Sequence, residues 1–288
     1  MSHALKINLF DAEEFQFSSK KKSIEEFQKI IWRYYEHYQR RFLWREKLHP
    51  YHVVVSEIML QQTQTERVSK KFASFIELFP DFFSLAQAPF NEVLREWKGL
   101  GYNRRAMNLQ KIAGLVTEQY DGILPKSIAT LETFPGIGKA TARSIYTFAF
   151  DEPTVFIETN IRSVFLHFFF KDETSKISDR SIEVLVEKYL DRAQPREWYY
   201  ALMDFGAMLK KNLGNPNHQS AHYKKQSSFV GSNRQLRGKI LQFLLTNRTS
   251  SLESLQNTFS EDAWRFEPIL NQLCLEGLVK EKSGFYFL

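Results

Sequence analysis

Leu131-Glu132-Thr133-Phe134-Pro135-Gly136-Ile137-Gly138-Lys139-Ala140-Thr141-Ala142 is the stretch on which the fold turns. A helix ends, a Pro-Gly-x-Gly turn follows, and a new helix starts at Lys139. Gly136 and Gly138 permit close approach and unusual dihedrals. The first amides of the new helix lack intrahelical partners and face outward, which suits a phosphate, and Lys139 adds a cation. Bracketed by two helices, the turn reads as a helix-hairpin-helix that clamps a DNA backbone without reading its sequence. Taken as a motif alone, an ordinary helix–helix turn stays open.

Upstream, Tyr51-His52-Val53-Val54-Val55-Ser56-Glu57-Ile58-Met59-Leu60-Gln61-Gln62-Thr63-Gln64 reads as the start of a helix over about 51–68. On such a helix Glu57, Leu60, Gln61 and Gln64 share a face. A carboxyl beside amides and aliphatics can serve as a general acid whose proton is held by desolvation. The competing reading is an exposed glutamate on an amphipathic helix. Ser23, with Glu25 and Glu26 behind it, opens an earlier helix to about Arg41, followed by a loop carrying Trp44. Phe72, Phe75, Ile76 and Phe79 keep helical spacing. Phe90 to Trp97 is a short helix stopped by Gly99-Leu100-Gly101-Tyr102, a tight turn with an aromatic at its tip. Asn103 to Tyr120 is helical again. Residues 1–22 form an extension ending in Lys20-Lys21-Lys22, either a solvated tail or a phosphate contact.

Downstream, Val155-Phe156-Ile157-Glu158-Thr159-Asn160-Ile161-Arg162 places an acid at a helix start, with Thr159 or Asn160 as the cap. Glu158 is either an acid favoured by the macrodipole or a second carboxylate facing a cation that forms during reaction. Residues 211–233 are a polar linker. Then come helices over Arg237–Leu245, from Leu252, and over Pro268–Glu276 with Pro268 near its start. Lys280 to Phe287 alternates around Ser283-Gly284, a small hairpin. Three helices and a hairpin make a winged-helix pattern over 234–288. With 7 basic and 6 acidic residues in 231–288, a packing or partner role suits it as well as DNA does. The expected fold is therefore all-α: a two-lobed helix-hairpin-helix core over 23–210 plus a small C-terminal winged-helix-like domain.

Composition bounds the function more loosely. A net charge of +6 is compatible with phosphate contact and decides little alone. The 26 Phe fit a core of large side chains or rings on which bases stack. The longest apolar run, Val164 to Phe170, is too short for a membrane span, and Met1-Ser2-His3-Ala4-Leu5-Lys6 lacks a signal-peptide pattern. A single cysteine, Cys274, excludes an internal disulfide and a four-cysteine metal site. A cytoplasmic location, at the nucleoid if the source is bacterial, is the expectation.

With these motifs in order, the chain resembles the helix-hairpin-helix superfamily of DNA glycosylases, closest to the MutY-type adenine glycosylases. The likeness covers about residues 23–210. It rests on Ser56–Gln64, on Trp97-Lys98-Gly99-Leu100-Gly101-Tyr102, on Phe134–Lys139 and on Met203-Asp204-Phe205-Gly206-Ala207. The resemblance implies that Glu57 protonates the departing adenine and later handles water. It implies that Tyr102 wedges into the duplex and that Gln61 and Gln62 lie near the mispaired base. Gly136, Gly138 and Lys139 match the phosphate clamp, usually completed by a monovalent cation. It further implies a monomer acting on double-stranded DNA with a mispaired or damaged base, and no membrane partner. Such chemistry needs one carboxyl that keeps its proton and one ionised carboxylate beside an oxocarbenium-like sugar.

Four departures from the family pattern bear on function. The second acid, an aspartate before Gly-Asn in the family, is Glu158 before Thr159-Asn160, one methylene longer. Lys210, Asn217, Ser220 and Gln226 stand at the spacing of the cluster cysteines, so no iron–sulfur cluster and no other cofactor is expected. Ala140 occupies the position of the β-lyase lysine, which predicts a monofunctional enzyme. The Nudix-like domain that reads 8-oxoguanine gives way to the winged-helix-like segment. Two further functions stay open on the residues: a uracil or thymine mismatch glycosylase, and a non-catalytic DNA-binding or lesion-sensing protein.

Overall fold

The computed structural model describes residues 23–46, 48–225 and 227–288. The N-terminal extension and Gln226 lie outside these residues. Helix α1 (Ile24–Tyr38) opens as its sequence dictates: Ser23 accepts from the Glu26 N–H, and the Glu26 carboxylate accepts from the Ser23 N–H. Then follow α2 (Leu43–Glu46), α3 (Pro50–Leu60), α4 (Thr65–Leu78), α5 (Phe82–Gln87), α6 (Phe90–Glu96) and α7 (Arg104–Tyr120). Helices α8 (Ile128–Glu132) and α9 (Lys139–Phe150) flank the Pro-Gly turn. Next are α10 (Thr159–Phe169), α11 (Asp179–Lys188) and α12 (Pro195–Asn212). The C-terminal segment holds α13 (Asn233–Asn247), β1 (Thr249–Ser251), α14 (Leu252–Thr258), α15 (Ala263–Leu275), β2 (Lys280–Lys282) and β3 (Phe285–Phe287). The class is all-α, and among the described residues no helix is long and apolar enough to cross a membrane.

Three local expectations change. The helix at 51–68 is two helices, broken after Leu60, where Gln62 takes φ 54°. The carbonyls of Ile58 and Met59, orphaned at the end of α3, are taken by the Arg105 guanidinium at 2.7 and 2.8 Å. Gln64 is therefore the N-cap position of α4 and does not share a face with Glu57. Trp44 lies on α2, a short helix rather than a loop. Pro268 lies inside α15 rather than near its start. Buried Phe266 ahead of it extends the apolar stripe of Ile269, Leu270 and Leu273, so the helix begins at Ala263 despite the missing N–H.

The chain divides into two compact units. One comprises 23–41 and 151–224 of the described residues. Its core is aromatic: the Phe27 ring lies 5.5 Å from Phe165, 5.0 Å from Tyr189 and 6.0 Å from Trp198. Asp204, 1% exposed, accepts from the Arg40 backbone N–H and from its Nε at 2.8 and 2.7 Å, tying α12 to the chain after α1. Gly206 lets α12 approach α10: a Cβ there would stand 2.1 Å from the Asn160 carbonyl oxygen. Backbone cannot swing aside as a side chain can. Gly206→Ala is expected to destabilise this unit by about 3 kcal/mol, the upper part of the overpacking range. A urea midpoint unchanged from wild type would contradict this.

The other unit comprises 42–150 and 225–288. Val54, Val55, Ile58, Phe75, Trp97, Ile112 and Ile145 belong to one buried cluster that joins α3, α4, α7 and α9. The C-terminal segment does not stand apart. Its core residues Leu236, Ile240, Phe266 and Leu273 share a cluster with Leu94 of α6 and Met107 of α7. Its hairpin turns at Ser283 and Gly284, φ 53° and 79°, as a tight Ser-Gly turn requires. The sheet has a third strand that alternation did not reveal, in the order β1-β3-β2 with Thr249 opposite Phe287.

Candidate active site

Helix α3 is held rigidly. Pro50 takes its first turn, the His49 ring accepts from the Tyr51 N–H, and the Tyr51 hydroxyl donates to Phe79 O at 2.6 Å. Val53 through Ser56, Ile58 and Met59 are buried. Glu57 is the half-buried position in that run. The Ser144 hydroxyl lies 2.6 Å from Glu57 Oε2 and 3.0 Å from Thr141 O. A hydroxyl has one hydrogen. If it goes to Thr141 O, the Ser144 oxygen is free to accept from a protonated Glu57. If Glu57 is ionised, Ser144 can donate to it instead. The serine thus serves both states of the acid, a residue that spacing did not single out. It comes from α9, the helix that leaves the hairpin.

At the hairpin, Gly136 has φ 79°, and a Cβ there would meet Asn108 Nδ2 at 2.5 Å. Gly138 has open space around its missing Cβ, so its use lies in leaving the helix N-terminus approachable. Gly138, Lys139 and Ala140 are exposed. The Gln61 amide donates to Gly136 O at 3.2 Å and to Thr141 Oγ1 at 3.3 Å, joining the end of α3 to the hairpin. Gln62 is exposed.

Tyr102 sits at the tip of a turn in which Gly99, Gly101 and Tyr102 have φ 97°, 72° and 48°. A tyrosine in the left-handed region is costly and persists only when its surroundings impose it. Arg105 is what imposes it. From α7 its Nη2 donates to Leu100 O and Gly101 O, both at 3.1 Å, and to Thr63 Oγ1 at 2.9 Å. Burial pulls this guanidinium down to about 10 against the opposing effect of Tyr102. One arginine therefore shapes both the break after α3 and the turn bearing Tyr102. An arginine in a helical run reads as solvated, so periodicity carries no sign of this role.

Glu158 lies in the other unit and is itself the helix cap, in place of Thr159 or Asn160. Its Oε1 accepts from the N–H groups of Asn160 and Ile161 at 2.7 and 2.9 Å. Burial pushes its carboxyl above the ordinary range, against the Ile161 N–H, Lys210, the Asn160 N–H and Arg162. Lys210 is pushed down by burial while Glu158 pulls it up. Glu158 is thus a helix-N-terminal acid, as the macrodipole reading has it, and a buried one.

The positions matching the cluster cysteines do not fit an iron–sulfur cluster. An ammonium, an amide and a hydroxyl stand where thiolates are needed. The Asn217 amide, buried, donates to Ser163 Oγ at 2.6 Å and to Thr159 O at 3.2 Å, and Ser220 bridges to Ile177. Hydrogen bonds from this segment reach the start of α10 directly.

Helix α3, which bears Glu57, packs against α9, the helix that follows the Pro-Gly turn. Residues 55–188 match the HhH-GPD superfamily of base excision DNA repair proteins, so the chain carries a domain of that superfamily. Within it, the chain is similar to adenine DNA glycosylases. It is 29% identical over 282 residues to that of Mycolicibacterium smegmatis, covering 92% of this chain and 96% of the relative. It is 35% identical over 188 residues to that of Buchnera aphidicola, covering 64% of this chain and 52% of the relative, so it spans about half the length of that protein. The mycobacterial match leaves 8% of this chain unmatched, a shorter stretch than 234–288, so at least part of the C-terminal segment is matched there. The fold is also that of a thermostable thymine-DNA glycosylase, with TM-score 0.58, 22% identity, and 69% of this chain and 92% of that one covered.

Proposed function

We propose that the protein is a monofunctional DNA glycosylase that removes adenine mispaired with 8-oxoguanine or guanine, opening base excision repair. The observation that carries this reading is Glu57, fixed on a buried helix with the Ser144 hydroxyl against its carboxyl. The adenine must first leave the stack. Tyr102 then fills the space beside it, Gln61 and Gln62 face the gap, and the N–H groups at Gly136–Lys139 with the Lys139 ammonium hold a phosphate. Turn carbonyls at the hairpin have lone pairs that suit a monovalent cation.

Glu57 gives its proton to the purine. The C1′–N9 electron pair leaves with the base, and the sugar becomes oxocarbenium-like. Ionised Glu158 stabilises that cation, and water, deprotonated by Glu57, adds to C1′. No amine stands at Ala140, so no Schiff base forms there and the strand is left uncut. The protein works as a monomer without an iron–sulfur cluster, Asn217 and Lys210 supporting the Glu158 loop instead. It acts in the cytoplasm, at the nucleoid if the source is bacterial.

The longer acid at Glu158 favours one alternative, release of uracil or thymine opposite guanine. A panel of duplexes carrying each mismatch, scored for alkali-labile sites at stoichiometric enzyme, separates the two. The expected result is cleavage on the adenine strand of A·8-oxoguanine and A·G duplexes. Cleavage confined to U·G and T·G, or absent throughout, overturns the adenine reading.

A further inference from the structure

A cleft of about 330 Å³ opens within the unit formed by 42–150 and 225–288. One wall is Gln61, Gln62 and Tyr102; the other is Arg234 and Arg237 of α13 with Glu276 at the end of α15. Its volume is at the small end of the range that ligand sites occupy, suited to a base-sized guest. Gln62 and Tyr102, both on this wall, have φ 54° and 48°. Left-handed backbone at two non-glycine residues of one cleft points to a held shape.

The C-terminal segment does more than cover the cleft. Arg234 Nη1 donates to the Tyr102 hydroxyl at 3.1 Å, its guanidinium carbon lies 5.8 Å from the ring centroid, and its Nη2 donates to Ser227 O at 2.7 Å. Tyr102 is thus gripped from α13 as well as shaped from below by Arg105. Arg237 Nη2 donates to Glu276 Oε2, and the Gln272 amide donates to Glu276 Oε1 at 3.0 Å. The Arg237 and Glu276 side chains are 24% and 12% exposed. The cleft therefore presents a guanidinium and a carboxylate side by side.

That pairing selects a class of guest. A phosphate would meet Glu276 beside an Arg237 whose charge is already balanced, so the cation left for a backbone contact is Arg104, which also lines the cleft and is exposed. A guanine-type base can use both signs. Its O6 and N7 accept from a guanidinium, and its N1–H and exocyclic amine can donate to a carboxylate. Cytosine offers adjacent acceptors, O2 and N3, but no adjacent pair of donors, and thymine offers neither pair.

We propose that the C-terminal segment completes a pocket for the base left opposite the excised one. Arg237 and Glu276 determine specificity for a guanine-type base, and Arg234 positions Tyr102. The proposal rests on the glycosylase reading for what makes that base accessible. It assigns to 234–288 a recognition task that the near-neutral charge of the segment left open.

The test uses the full chain and duplexes with a tetrahydrofuran abasic-site analogue opposite guanine, 8-oxoguanine, cytosine or thymine, so that no chemistry is needed. Wild type is expected to bind the two guanine-type duplexes at least tenfold more tightly than the two pyrimidine duplexes. Arg237→Ala and Arg237→Gln are expected to cut that preference about tenfold, at the scale of one lost bidentate base contact. Their affinity for the pyrimidine duplexes is expected to stay near wild type. The glutamine variant can still donate to Glu276, which guards against a folding defect. An equal loss on all four duplexes, with a salt slope reduced by about 1, identifies a phosphate contact and overturns the proposal. Equal wild-type affinity for all four overturns it as well. Adenine release is measured on the same preparations. Release without opposite-base preference sinks the pocket alone, whereas preference without release sinks the glycosylase reading alone.

Discussion

Glu57→Gln is expected to lower the single-turnover rate of adenine release by about 10²–10⁴-fold, the scale on which a positioned general acid acts. Binding of an abasic-analogue duplex and the melting temperature are expected to stay near wild type. The physical case rests on what the substitution keeps. Glutamine has the same length, its amide can still meet the Ser144 hydroxyl, and the buried neighbours Val54, Val55 and Ile58 on α3 are untouched. Only the transferable proton is lost. Adenine is a poor leaving group unless protonated, so the loss falls on bond cleavage and not on flipping or binding. The measurement is base release under excess enzyme, which isolates chemistry from product release. A rate within a few-fold of wild type would remove Glu57 from the mechanism and leave the non-catalytic, lesion-sensing reading in possession of the fold.

Glu158→Gln is expected to separate activity from stability. The glutamine oxygen can accept from the Asn160 and Ile161 N–H groups as the carboxylate does, so the cap on α10 survives. The negative charge does not, and release should fall by about 10²–10³-fold, as when an electrostatic contact to a charged transition state is removed. Stability moves the other way. Burial raises the Glu158 carboxyl above its unfolded value. Its neutral form therefore stabilises the fold at low pH, and that contribution is lost as pH rises through the folded value. At neutral pH the variant is expected to melt at or above the wild-type temperature, with Lys210, deprived of a partner, offsetting part of the gain. The difference should close as pH falls below the ordinary carboxylate range. In the proposed mechanism the same carboxyl is ionised during base release. The acidic limb of the wild-type pH–rate profile is therefore expected above the ordinary carboxylate range and absent in Glu158→Gln. A variant that melts far below wild type at every pH would mean that the charge holds the loop and that the loss of activity is structural.

These two acids also show how much of the molecule can be read from its residues. Helices α1, α6, α7 and α9 follow from caps, glycine stops and spacing, because those signals act within one or two turns of chain. The break after α3 does not. It depends on Arg105, 42 residues beyond Thr63, reaching back for carbonyls that local sequence leaves orphaned. Ser144 against Glu57 is 87 positions away in sequence, and Arg234 on Tyr102 is 132. Polar residues at such separations look like solvated surface until packing brings them together.

Taken alone, the sequence determined the all-α class, the two helices flanking the turn at Phe134–Lys139, the place of Glu57 on a helix and the lack of thiolates at 210–226, since each resides in residue type and short-range spacing. Tertiary structure decided the surroundings. It made Glu158 a buried cap, set Ser144 beside the acid, and merged 234–288 with α6 and α7 so that Arg234, Arg237 and Glu276 face Tyr102. Burial, shared hydrogen bonds and clefts are properties of segments distant in sequence, and no window of local sequence contains them.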